Sequence, residues 1–352
     1  MPFSRINKSD IHTISELAPV LSTTSEEIEL FLNGQEALLQ YGLLKKTNGE
    51  YRKIVKVKND SYRHFLRELS THLSAEYRAK AMVLSPQTVH GFVKGKSIIT
   101  NAQQHTQKKI VLNVDIKNFF DSISIERVQK IFCSMGFKED IADVLSKLTT
   151  VKGILPTGFS TSPVLSNLVC LLMDGVFERI SKRHGVTYTR YADDITFSSN
   201  GYIPSKAGIS EVFKKFGFVM NEQKFRLYRK GGAQYVTGLT VVDKRPRLSK
   251  RFKRRLRLEA YYIKKYGVME HYSRLLGDIV SDYEKTSPST SELNEMVTSH
   301  DPKRLGRLGF MAFHGFGLEG FISHIHSVEP ELAKKLSPNL PRKTDTEYDD
   351  AI

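Results

Sequence analysis

The stretch TYTRYADDITFS, residues 187–198, places runs of β-branched and aromatic residues on either side of Ala192 and Asp193. Runs of that kind about a tight turn read as two antiparallel strands, which deliver Asp193 and Asp194 at their junction. About 80 residues upstream, the apolar run IVLNVDI (110–116) carries Asp115 near its end, where a buried charge needs compensation. Singly, each carboxylate has a plain structural explanation: acidic pairs are common in hairpins, and a strand-end Asp can cap the next turn. Together, on neighbouring strands, the three are more specific, because hard oxygen donors in this number can hold two Mg²⁺ ions. In that reading Asp115 and Asp193 are shared ligands and Asp194 ligates more weakly or supports the field. The backbone carbonyl of Ile116 assists the second ion. One ion would activate a hydroxyl for attack on an α-phosphorus, and the other would stabilise departing pyrophosphate.

Further residues fit around this centre, each with a structural alternative. Phe120, five positions after Asp115, could press on C2′ of an incoming sugar and exclude a 2′-hydroxyl. Core packing is the alternative, and the adjoining Phe119 leaves open which ring faces the nucleotide. LPTGFSTSPVLSN (155–167) supplies a turn and then Ser162-Pro163 at a helix start. Within it, Gly158 would let backbone approach a nucleotide beside Thr157. Lys224 could neutralise pyrophosphate or pass it a proton, or be a solvated lysine. Arg52 and Lys53 are both candidates for gripping a triphosphate. His314, His324 and His326 lack nearby cysteines and closed-site spacing, so they read as polar contacts rather than zinc ligands.

Composition agrees with a polyanionic partner. Across 352 residues, 53 Lys and Arg outweigh 38 Asp and Glu, a formal charge of +15. The two cysteines, Cys133 and Cys170, lie in apolar surroundings and read as core fillers, too few for a disulfide framework or a four-cysteine zinc site. No signal-like N-terminus or membrane-length apolar run is evident, so a soluble cytoplasmic protein is expected.

The length predicts two or three subdomains. Residues 10–40 read as short helices, with a capping box through Thr23 and Glu26 or Thr24 and Glu27. Residues 51–60 alternate as a basic strand, and 61–74 are helical in period. Further helices are expected over 124–137 and 162–181, strands over 110–116 and 185–200, and a last strand and turn over 225–242. The sum is an α+β protein with an antiparallel or mixed sheet backed by helices. Lys244 to Arg257 then holds nine Lys or Arg in 14 positions with no acid, while Leu248, Phe252 and Leu256 recur every four residues. This reads as a helix with one packed face and a positive remainder, including Lys250, Arg251, Arg254 and Arg255, set against a polyanion, with a solvated basic face as the alternative. A polar loop is expected over 281–295 and an apolar, glycine-rich core over 306–328. There is no internal repeat.

Asp115 with Phe120, LPTG followed by SP, and YADD occur in the order of the palm motifs of reverse transcriptases. Asn101-Ala102-Gln103-Gln104-His105 and Val236-Thr237-Gly238 resemble the NAxxH and VTG elements of the bacterial retron reverse transcriptases, over roughly residues 15–265. The resemblance implies a right-hand polymerase. Its parts would be an N-terminal helical support region (1–50), fingers and fingers–palm elements (51–109, 138–184), a palm (110–137, 185–242), a basic thumb (243–330) and a polar C-terminal tail (331–352). It implies RNA-directed DNA synthesis on a cognate structured noncoding RNA, primed by a guanosine 2′-hydroxyl and leaving msDNA, with two Mg²⁺ ions and dNTP substrates. It also implies antiphage defence with a separately encoded effector, no membrane, and room for a higher-order complex. Asn101 and His105 could contact a phosphate or 2′-hydroxyl, or brace the fingers against the palm. Val236, Thr237 and Gly238 could bring backbone close to RNA, or form a strand-end turn. Thr157 departs from the usual glutamine of LPQG, and Phe159 from a smaller residue, which moves nucleotide positioning onto other contacts. The alternatives are a non-retron bacterial reverse transcriptase extending a 3′-hydroxyl, and an RNA-binding scaffold that regulates an effector.

Overall fold

The computed structural model describes residues 7–45, 51–84, 88–266 and 325–336. The expected loop over 281–295, most of the core over 306–328, His314, His324 and the tail from 337 onward lie outside the described residues. Two compact units are present, Met1–Pro246 and Arg247–Ile352.

In the first unit, a capping box of Thr24 and Glu27 starts helix α1 (Ser25–Gly34), with Ile28 and Phe31 buried. Of the two capping boxes the sequence allows, this is the one formed. Strands β1 (Leu39–Lys45) and β2 (Tyr51–Val57) then pair as an antiparallel hairpin, Leu39 opposite Val57. The helical reading of residues 1–50 is therefore corrected at its end. Leu-rich LQYGLLK has no decisive local preference, and pairing with β2 makes it a strand. Helix α2 (Asp60–Leu84) is longer than the periodic run suggested. After the short α3 (Ile98–Gln103) come β3 (Ile110–Asp115), α4 (Ile125–Ser134), α5 (Glu139–Thr149) and α6 (Ser162–Arg183). The chain closes the sheet with β4 (Thr187–Tyr191) and β5 (Asp194–Ser199), then α7 (Lys206–Lys215), β6 (Arg226–Arg229) and a small hairpin of β7 (Tyr235–Val236) and β8 (Leu239–Thr240). Helices α5 and α7 have no counterpart in the sequence reading.

The central sheet runs β4-β5-β3-β6 and is antiparallel throughout. Its strands read as strands because Val111, Leu112, Val114, Ile195 and Phe197 are buried in the core. Phe177 of α6 meets Tyr188 and Phe197 of the sheet and Phe213 of α7 at ring separations of 5.4, 5.4 and 5.9 Å. This aromatic cluster fixes the helices against the strands. Cys170 is buried in this core, but Cys133 is exposed on α4, which corrects its reading as a core filler.

In the second unit, α8 (Lys250–Tyr266) buries Leu256 and Ala260 and leaves Lys250, Arg251, Arg254 and Arg255 exposed. Glu329, just before α9 (Pro330–Leu336), accepts from the Leu248 N–H at 3.0 Å and pairs with Lys253 at 2.7 Å. Lys253 is thus partly neutralised within the protein. Among the described residues, no helix is long and apolar enough to cross a membrane.

Candidate nucleotidyl-transfer site

Strand register creates the acidic centre. Asp115 at the end of β3 lies directly opposite Asp194 at the start of β5, and Tyr191 is paired with that same Asp194, so Ala192 and Asp193 form the turn. Directly opposite residues of an antiparallel pair share a face of the sheet. Asp193 is joined to the end of β3 through its carbonyl, which accepts from the Ile116 N–H at 3.1 Å.

Two neighbours compensate the buried Asp115, which is 3% exposed. Lys224 donates to Oδ2 at 2.6 Å and Asn221 Nδ2 to Oδ1 at 3.1 Å, while the Asn221 N–H also donates to the Asp115 carbonyl at 2.8 Å. Asn221 was not anticipated; only its placement beside the Ile116–Met220 bridge makes it a partner. Burial and then the charge of Asp115 push the Asp193 carboxyl up. Asp194 is open to solvent at its surface, yet dense surroundings and then the charges of Asp193 and Asp115 raise it to about 7. Burial works against the Lys224 ammonium, but its hydrogen bond to Asp115 and the acidic charges around it hold its pKa above the usual value.

The turn is clamped from behind. Arg190, fully buried, donates from Nε and Nη2 to the two oxygens of buried Asp174 on α6, at 2.8 and 2.7 Å. Its Nη1 donates to Asn167 Oδ1 at 3.0 Å and to the Ala192 carbonyl at 3.1 Å. Tyr188 completes the set by donating to Asp174 at 2.6 Å. Ala192 itself is left-handed, φ 58°, a conformation that a non-glycine residue keeps only when its surroundings hold it. A Cβ on Gly91 would collide with the Ala192 nitrogen, so glycine is what lets segment 88–91 lie against the turn.

Among the described residues, no three His, Cys, Asp or Glu side chains close around a metal position. The donor set nonetheless suits hard divalent cations: three carboxylates from one sheet edge, two with raised pKa values, and an ammonium already serving as the cation beside Asp115.

The other expected residues fall into three groups. The first comprises Phe120, Arg52 and Thr157. Phe119 is 5% exposed and packs on Phe218, whereas Phe120 is half-buried, so the outer ring is Phe120. Arg52 is close enough for its charge to act on Asp193, and Lys53 alternates to the other side of β2. The Thr157 carbonyl accepts from the Val55 N–H at 2.8 Å.

Gly158, φ 124°, permits a close approach to β2, because a Cβ there would strike the Val55 carbonyl. Phe159 is core, set edge-on to Tyr62 at 5.9 Å. A basic groove beside this turn, lined by Lys56, Lys58, Arg63, Arg67 and Ser160, was not read from sequence.

The third group faces inward. His105 is fully buried, with Nδ1 2.7 Å from Ser198 Oγ and Nε2 2.7 Å from Thr189 Oγ1. Asn101 is 1% and Val236 0% exposed. Burial of the His105 and Asn101 side chains favours the bracing alternative for those two. Thr237 and Gly238, φ 45° and 83°, form the left-handed turn between β7 and β8. Thr237 Oγ1 lies 3.5 Å from Asn101 Nδ2 and donates to the Ile98 carbonyl at 3.3 Å. The two sequence elements that marked the family resemblance thus touch each other.

Residues 43–247 match the family model described as Reverse transcriptase (RNA-dependent DNA polymerase). The chain is similar to Retron Mx65 reverse transcriptase of Myxococcus xanthus, 37% identical over 193 residues that cover 47% of this chain and 45% of that one. It is similar to Retron Ec73 reverse transcriptase of Escherichia coli, 32% identical over 54% of this chain and 67% of that one. With Retron Ec48 reverse transcriptase of Escherichia coli, the identity is 26% over 95% and 80% of the two chains. The chain spans less than half the length of the Mx65 relative.

Proposed function

Because this chain belongs to the reverse transcriptase (RNA-dependent DNA polymerase) family and is of the retron type, we propose that it copies part of a cognate structured noncoding RNA into msDNA. The polymerase would be primed from a guanosine 2′-hydroxyl, and the molecule would serve in antiphage defence beside a separately encoded effector. The observation that carries the catalytic part is the register of Asp115 opposite Asp194 with Asp193 in the intervening turn.

Asp115, Asp193 and Asp194, with the Ile116 carbonyl, would hold two Mg²⁺ ions, which when bound supply Lewis acidity at the primer hydroxyl and neutralise phosphate charge. Arg52 meets the triphosphate from β2. Phe120 presents its ring to the sugar and excludes a 2′-hydroxyl by contact. Lys224, half-exposed and paired to Asp115, exchanges that partner for the pyrophosphate and can give it a proton. The basic groove at Lys56, Lys58, Arg63 and Arg67 and the exposed face of α8 supply phosphate contacts that position RNA without reading its sequence.

Asp193→Asn and Asp194→Asn should each abolish Mg²⁺-dependent dNTP incorporation while RNA binding persists. Equal incorporation by wild type and both variants would remove the catalytic assignment. Sequencing the nucleic acid that copurifies with the protein, across its branch, tests the priming: a 2′,5′ linkage is expected, and a 3′,5′ junction would select ordinary primer extension.

A further inference from the structure

Phe92 occupies a backbone conformation that its side chain disfavours. Its φ of 61° is left-handed, and for a bulky residue this is a strained state kept only when neighbouring bonds impose it. They do so here. The N–H groups of His90 and Gly91 donate to the Arg190 carbonyl at 2.8 and 3.4 Å, and Asn167 Nδ2 donates to the Gly91 carbonyl at 3.0 Å. The chain is thereby tied to the strand that carries the catalytic turn, and the next residue is thrown outward. Yet the ring so displayed is 46% exposed, so the strain is not repaid by burying it in the core.

What the ring does touch is Phe120. Four rings form a row from solvent to core: Phe92 to Phe120 at 6.2 Å, Phe120 to Phe119 at 5.4 Å, and Phe119 to Phe218 at 6.0 Å. Phe119 and Phe218 hold one side of Phe120 rigidly, since both are buried. Phe92 is the ring on its solvent side. A single aromatic ring can exclude a hydroxyl only if it cannot swing away from it, and a contact on the open side supplies that restraint.

We infer that Phe92 is a positioning residue for sugar selection, holding the Phe120 ring in the orientation that rejects ribonucleotides. The inference rests on the reading of Phe120 as the sugar gate. It also assigns a use to the strain: the 88–92 segment links the gate ring to β4, the strand that runs into the turn carrying Asp193 and Asp194, so gate and metal ligands keep a common reference.

The test is steady-state incorporation of dCTP and CTP by the full chain on a primed RNA template, for wild type, Phe92→Gly, Phe120→Ala and the double variant. Phe92→Gly should lower the ratio of kcat/KM for dCTP over CTP by about two- to tenfold, the size of one aromatic pair, through better use of CTP. Glycine suits a positive φ, so relief of the strain offsets part of the lost ring contact and the variant should stay folded, melting within about 5 °C of wild type. Phe120→Ala should lower the ratio further, and adding Phe92→Gly to it should change nothing more. If Phe120→Ala lowers the ratio and Phe92→Gly does not, or if the two effects multiply, the inference fails while the gate stands. If Phe120→Ala leaves the ratio unchanged, the gate reading itself fails.

Discussion

Acid should weaken this fold through one residue, His105. In the folded chain the imidazole is fully buried between the Ser198 and Thr189 hydroxyls, and burial, with the nearby charges of His90 and Lys108, lowers its pKa from 6.5 to about 3. The folded state therefore keeps it neutral where an unfolded chain would take up a proton. Its contribution to stability is complete above pH 6.5 and is lost progressively as the pH falls toward 3. Each pH unit within that window costs about 1.4 kcal/mol, so about 2 kcal/mol should be gone at pH 5. His105→Gln keeps a neutral donor and acceptor but cannot titrate. It should be less stable than wild type at pH 7.5 by about 1–3 kcal/mol, because Gln reaches only one hydroxyl well. The assay is urea unfolding of both proteins at pH 7.5 and pH 5. Asp193 and Asp194, with raised pKa values, titrate in the opposite sense in both proteins and cancel in the difference. The gap between the two should shrink by about 2 kcal/mol on acidification. A gap that stays constant would show that His105 does not pay a protonation penalty, and the bracing role would lose its physical basis.

Three further outcomes follow from named contacts. Asp174→Asn removes the charge opposite the buried Arg190 guanidinium and should cost about 3–5 kcal/mol in denaturant unfolding; a loss below about 1 kcal/mol would mean that Arg190 finds another partner. Gly158→Ala puts a methyl group against the Val55 carbonyl at a positive φ and should destabilise by about 1–3 kcal/mol, with unchanged urea midpoints counting against the close approach. Replacing Lys250, Arg251, Arg254 and Arg255 by Gln should reduce the slope of log RNA affinity against log salt by about three to four, and an unaltered slope would take α8 out of the RNA interface.

How far the sequence could carry this depended on whether a residue's environment is local. Alternating and apolar runs announced β2, β3, β4 and β5, and the tight turn at Ala192-Asp193 set Asp194 opposite Tyr191, whereas its pairing with Asp115 rests on the non-local register of β3 against β5. Strand β1 was illegible because its partner, not its own composition, decides it. Arg190 looked like one more basic residue in a basic chain; its meaning comes from Asp174, carried on a different element and buried with it. The NAxxH and VTG elements show a different limit. They were specific as markers, and specificity suggested contact with RNA, but a marker can equally be a pair of surfaces that fit each other, as Asn101 and Thr237 do. Asp115 was the reverse case. A carboxylate ending an apolar strand had to be compensated by something, and that requirement was visible before any partner was. Lys224 and Asn221 meet it with two hydrogen bonds. Because one of those partners is a half-exposed lysine that can leave, the same requirement would pass to a divalent cation when a nucleotide brings its phosphates to the site.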